Sequence, residues 1–182
     1  VCLSGRKVCL LQARLKGGED VNDSVGLLIS ILVRYPEVAA INFDPEEHLL
    51  KFNFICSRAV DEEEMQQFEI HVLDHIRAFN YLEKKEVPLV EITHQAFDDL
   101  TVIEIKRDVE TLAQDEINLV VEVFYQYWEK DLISDLGDNL IEEELVVQDE
   151  IIEHMLESVK DSVGNKKLYA FREEGRVLVF NK

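Results

Sequence analysis

The amino-acid sequence predicts an α+β fold with a mainly antiparallel sheet, and three observations predict it. Stretches of period-two hydrophobicity come in pairs joined by turn residues, stretches of period 3.6 separate the pairs, and the order over the first two thirds reads β-α-β-β-α-β. That order, with hydrophobic strands and two amphipathic helices, is what a ferredoxin-like split-βαβ sandwich gives, here extended by a further hairpin, two helices and a C-terminal hairpin, with the helices on one face. One continuous antiparallel sheet carrying every helix on a single face satisfies the same local pattern.

Residues 7–15 (KVCLLQARL) are rich in strand formers and end at Gly17 and Gly18. Asp20, Asn22 and Asp23 then offer helix caps, and Val21, Val25, Leu28 and Leu32 recur at helical spacing until Pro36 stops the pattern. Leu27 and Ile31 widen that stripe. From Glu37 the period falls to two, with a turn at residues 44–47 and renewed alternation through Leu50, Phe52 and Phe54, which predicts a hairpin. An acidic start at residues 61–64 suits the positive end of a helix, whose face is Met65, Phe68, Val72, Ile76 and Phe79.

The same order then returns. Residues 88–93 and 101–106 are the next strands, and a helix from about 111 to 132 carries Ala113, Ile117, Val120, Val121, Phe124, Tyr127 and Trp128 on its stripe. The hairpin-plus-helix unit thus occurs twice at an offset of about 51 residues, with 52–54 matching 103–105, an internal repeat in pattern order rather than in residue identity. Residues 134–139 (SDLGDN) are the best internal break, dividing 1–133 from 140–182 within what is otherwise one compact domain, 1–182. Residues 142–162 predict a fourth helix with Leu145, Ile152, Leu156 and Val159 inward, and 166–182 a final hairpin about Glu173, Glu174 and Gly175.

Composition bounds function. Of 182 residues 47% are hydrophobic, enough for a real core, and 38 acids against 19 bases leave a net charge of −19, a field that repels phosphate and speaks against whole-surface nucleic-acid binding. Cys2, Cys9 and Cys56 form no Cys-x-x-Cys pair, so a disulfide framework and a zinc ribbon are both disfavoured and a cytoplasmic setting is expected. The longest apolar run, residues 25–33, is far short of the roughly 20 residues a membrane span needs.

Few residues suggest chemistry. Gly17 and Gly18 lack the G-x-G-x-x-G and G-K-[ST] patterns, and Glu19 and Asp20 put negative charge where a phosphate needs positive potential. His71 and His75, four apart on one helical face, are the candidate metal ligands, although Val72 stands where the H-E-x-x-H pattern needs Glu and a core-edge histidine is the commoner occupant of the slot between Val72 and Phe79. Glu150, Glu153 and His154 miss the Glu-x-x-His spacing of carboxylate bundles, and residues 135–139 resemble a calcium loop only superficially, with Leu140 where the turn glycine belongs. Charge is asymmetric: residues 1–16 hold Arg6, Lys7, Arg14 and Lys16 and no acid, while 165–182 hold five bases against Glu173 and Glu174. The favoured reading is that these basic terminal strands neutralise the acidic body beside them; in the alternative, Tyr169, Arg172 and Arg176, with Phe171 and Phe180, are the candidates for contact with an anionic partner.

The expectation is a non-enzymatic, acidic, cytoplasmic regulatory or scaffold protein that self-associates or binds a protein partner through a sheet edge or an apolar helix face. Leu27, Ile31, Val147, Ile151 and Met155 are its candidate interface residues. The rival readings are a metal-dependent enzyme using His71 and His75, and a binder of an anionic ligand or nucleic acid through the basic terminal strands. No cofactor is predicted.

Overall fold

The computed structural model describes residues 19–135, 141–161 and 166–181, with side chains from residue 23 onward. The strand expected at 7–15, the glycine pair, Cys2, Cys9 and most of the break at 134–139 lie outside the described residues. Within them the order is α1 (Glu19–Arg34), β1 (Ala40–Asp44), β2 (Leu49–Cys56), α2 (Glu62–Leu82), β3 (Val90–Ala96), β4 (Thr101–Asp108), α3 (Gln114–Trp128), a 3-10 turn (Glu129–Asp131), α4 (Glu142–Lys160), β5 (Leu168–Glu173) and β6 (Arg176–Asn181).

Local chemistry sets the element ends. Asp61 caps α2 by accepting the Glu64 N–H at 2.8 Å, and Glu62, Glu63 and Glu64 meet the positive end of the helix dipole. The β1–β2 turn is closed by Asp44, whose Oδ1 accepts the N–H groups of Glu46 and Glu47 at 3.2 and 3.3 Å. Glu174 and Gly175, with φ of 49° and 72°, give β5–β6 the paired left-handed conformation of a tight two-residue hairpin, which Gly175 adopts without steric cost.

The six strands form one sheet in the order β3-β4-β2-β1-β5-β6, and each neighbouring pair is antiparallel. Cross-strand partners share a face, so Ile41, Phe43, Leu50, Phe52, Phe54, Ile103, Ile105, Leu168 and Ala170 fall on one side, and all are buried. The helices cover that side. Phe124 of α3 stacks on Phe54 at 3.8 Å and meets the edge of Phe68 of α2 at 4.7 Å, while α1 lies over β1, β5 and β6. Helix α4 packs against α1, with Met155 close over Gly26, where a side chain on the glycine would obstruct it. Arg34 to Asp149 at 2.7 Å and Ser158 to Asp23 at 2.6 Å join the same two helices.

Two expectations are corrected here. Strand β2 is hydrogen bonded on both sides, by β1 and by β4, so the interior place that a split-βαβ arrangement gives its first strand is already filled, and the described sheet is the continuous antiparallel one. Leu27 and Ile31 are wholly buried between α1 and the rest of the core, so the wide stripe of α1 serves intramolecular packing on two flanks, not an outer surface.

The repeat acquires geometry. Residues 52–54 and 103–105, equated by the sequence pattern, are cross-strand partners, with Asn53 opposite Glu104. Equivalent residues facing one another across an antiparallel pair is the arrangement that a twofold axis between β2 and β4 produces. Among the described residues, no helix is long and apolar enough to cross a membrane.

Candidate functional site

Among the described residues, no helix covers the sheet face opposite α1–α4, and most of its side chains are partly exposed. One transverse row of cross-strand neighbours runs Glu91, Lys106, Lys51, Asn42, Tyr169, Phe180, and the next runs Thr93, Glu104, Asn53, Ala40, Phe171, Leu178. Both rows change character from charged and polar on β3, β4 and β2 to aromatic and aliphatic on β5 and β6. At the polar end Lys106 pairs with Glu91 at 3.0 Å and Lys51 with Glu104 at 3.5 Å. At the other end Tyr169 lies 5.5 Å from Phe171, and Phe171 stacks nearly parallel on Phe180 at 5.6 Å. Phe180 is 52% exposed.

Between the two ends lies a hollow of about 270 Å³ lined by Asn42, Asp44, Lys51, Glu104, Lys167 and Tyr169, among others. Burial alone would raise the Asp44 carboxyl, but the Lys167 ammonium at 2.5 Å and the backbone N–H groups of Glu47 and Glu46 outweigh it and hold Asp44 below its ordinary range. The hollow thus contains two lysines and two carboxylates already engaged with one another, and it has no net sign with which to select an ion.

Strand β6 is an edge. Among the described residues it is paired on one side only, to β5, and its outer backbone groups face away from the sheet. It carries four apolar residues in succession: Leu178 and Phe180 point to the open face with Arg176, and Val177 and Val179 point to the helix side, where they pack on the margin of the core. The opposite edge, β3, carries Glu91, Thr93, His94 and Gln95 and is correspondingly polar.

The predicted site residues divide accordingly. Tyr169 and Arg176 do share the open face with Phe171 and Phe180, Arg176 lying 3.6 Å from Glu174. Arg172 does not join them. Its position on β5 turns inward, where it donates to the Leu32 and Tyr35 carbonyls (the latter at 3.4 Å) and lies 3.6 Å from Asp135, so it caps the C-terminus of α1. The removal of a strong cation from the surface weakens the anionic-partner reading.

His71 and His75 come together as the spacing implies, with ring centroids 4.4 Å apart, and His71 lies 5.7 Å from Tyr127. His75 Nδ1 lies 2.8 Å from the His71 carbonyl, a bond within its own helix. Among the described residues no group of three or more His, Cys, Asp and Glu is placed to hold a metal ion, so the pair offers two donors and no more. Glu150, Glu153 and His154 lie on the exposed face of α4. Of the helix-face candidates, Ile151 and Met155 are half-buried and Val147 is 52% exposed, beside exposed Val146.

Two charged clusters escaped sequence reasoning. Arg107 and Glu116 are wholly enclosed. The guanidinium spans both carboxylate oxygens, at 2.5 and 2.9 Å, and also reaches Asp108, the Leu89 carbonyl at 3.0 Å and Thr111 at 3.2 Å, while Asn80 donates to Glu116 at 2.8 Å. This knot ties β4, α2, α3 and the segment before β3, and its charged groups are engaged with one another, while Asn80 Oδ1 is buried without a hydrogen-bond partner. Arg58 grips Glu64 in a two-pronged pair at 2.6 and 2.9 Å, reaches Asp131 at 2.9 Å and lies 5.3 Å over the Trp128 ring. It fastens the end of β2 to α2 and to the 3-10 turn.

No family model, no curated protein and no solved structure matches the chain.

Proposed function

We propose that this chain is a non-enzymatic, acidic interaction protein that acts by self-association or by binding a protein partner along its β6 edge and the aromatic end of its open sheet face. The observation that carries the reading is the edge itself: four apolar residues in succession on an exterior strand, flanked by Tyr169, Phe171 and Phe180. Edges of this kind invite strand addition, and proteins without a use for them blunt them with charge or proline. Aromatic side chains beside the edge supply contact area at little cost in conformational entropy. A cytoplasmic setting accords with the cysteine usage.

The test compares the native chain with a Leu178→Lys/Phe180→Lys variant. A random peptide library is panned against both, and the oligomeric state of both is measured by light scattering. The expected result is either enrichment of extended peptides or self-association in the native chain, lost in the variant while its circular dichroism is retained. Equal peptide enrichment and equal oligomeric state in the two proteins would refute the reading.

A further inference from the structure

We infer that the occupant of the β6 edge is a second copy of this chain, joined β6 to β6, antiparallel, about a twofold axis through Leu178. The inference rests on the edge reading above and names its partner.

The first argument concerns coverage. Leu178 and Phe180 are accessible on the open face, Val177 and Val179 are only partly covered on the helix side, and a ligand resting on either face alone leaves half of this surface wet. An added strand covers both at once. On the helix side α1 already packs against β6, and its Val33 is 38% exposed.

The second argument is register. A twofold axis normal to the sheet keeps the helices of both copies on one side, and it permits only registers in which residues of the same face meet. Centred on Leu178, Val177 lies opposite Val179 of the second copy, Arg176 opposite Phe180, and Leu178 opposite itself. Every pair is apolar or sets a guanidinium against a ring. Centred on Val179 instead, Val177 lies opposite Asn181 of the second copy, and an apolar side chain meets an amide. The molecule already joins strands in this manner, since β2 and β4 meet antiparallel with the equivalent residues Asn53 and Glu104 face to face.

The third argument is charge. A chain of net charge −19 repels its own copy, and that repulsion is weakest at the β5–β6 hairpin, where Arg172 turns inward and Lys166, Lys167 and Arg176 stand against Glu173 and Glu174, leaving almost no net charge. Screening should therefore tighten the dimer as salt is added, whereas an acidic peptide on the same hairpin would bind less tightly.

Sedimentation velocity across a concentration series, at low and at raised salt, gives the primary measurement. A monomer–dimer equilibrium that tightens with salt is expected. Leu178→Lys, which sets two ammonium groups together on the axis from a half-exposed position, should leave a monomer with a thermal midpoint close to the native value. In a Cys2→Ser/Cys9→Ser background, Leu178→Cys should cross-link to a covalent dimer under mild oxidation, because residues on the axis are brought within disulfide reach, while the parent and Arg176→Cys in the same background should not. A monomer at every concentration and salt overturns the inference, as does a dimer that survives Leu178→Lys and fails to cross-link at 178. Peptide capture by a monomer, lost on the double substitution above, would leave the edge reading standing without this partner.

Discussion

At the scale of single residues the decisive energies are those of buried charge. Arg107 is 1% exposed and Glu116 is fully enclosed, so removing one partner strands the other without water. Arg107→Met is expected to cost about 3–5 kcal/mol, and the double variant Arg107→Met/Glu116→Leu distinctly less, since replacing both ions by apolar groups removes the stranded charge. Urea denaturation of the native chain and the two variants checks the magnitude and the ordering. Two carboxyls give opposite pH dependences. Burial is the largest influence on Glu37 and raises it, with its own backbone N–H, Arg34 and Arg172 pulling it partly back. A carboxyl raised by folding favours the folded state below its unfolded value of about 4.3, and that advantage is lost as pH rises through the folded value. Glu37→Gln should raise the thermal midpoint at neutral pH and leave it nearly unchanged below about pH 4. Asp44 is lowered, so its contribution is present above an unfolded value of about 3.9 and is lost as pH falls through the folded one. Asp44→Asn should lower the midpoint at neutral pH, with the difference vanishing in strong acid. The hint of the buried arginine was present in the sequence: Ile103, Ile105 and Arg107 occupy alternate, inward positions. Its partners were not legible there, because Glu116 and Asn80 reach it from two helices.

At the scale of elements, helix stripes and hairpins were legible and their neighbours were not. Period and capping residues are local, so α2 begins at the acidic run and β5–β6 turns at Glu174 and Gly175 as read. Whether an apolar stripe meets one neighbour or two depends on what lies across it. Leu27 and Ile31, expected at an interface between molecules, are the interior of one. Leu27→Ala and Ile31→Ala should each cost about 2–5 kcal/mol in chemical denaturation, without a direct effect on association. Val147→Ala on exposed α4 should stay within about 0.5 kcal/mol. Arg172 belongs to the same lesson. A strand residue read as a surface cation is the cap of α1, and Arg172→Leu should cost about 1–3 kcal/mol by leaving helix-end carbonyls without a donor. Amide hydrogen exchange should then be fastest in the last turn of α1, and unchanged protection there would refute the capping role.

At the scale of the whole molecule, charge and strand order dominate. A net −19 on a single chain destabilises the compact state through self-repulsion, so the thermal midpoint should rise from low to physiological ionic strength, measured with a salt whose ions do not bind specifically. A midpoint that falls would show that the ion pairs outweigh the repulsion. By itself the sequence determined the α+β class, the helices and hairpins it could be checked on, the acidic body and the repeat of hairpin and helix, because periodicity, caps and turns act between residues near in the chain. Only the tertiary structure decided the order β3-β4-β2-β1-β5-β6, which strands stand at the edges, which stripes are covered twice and where the arginines point. Those outcomes depend on contacts between segments far apart in sequence, where many pairings satisfy the same local pattern and only simultaneous burial of all the apolar faces selects among them.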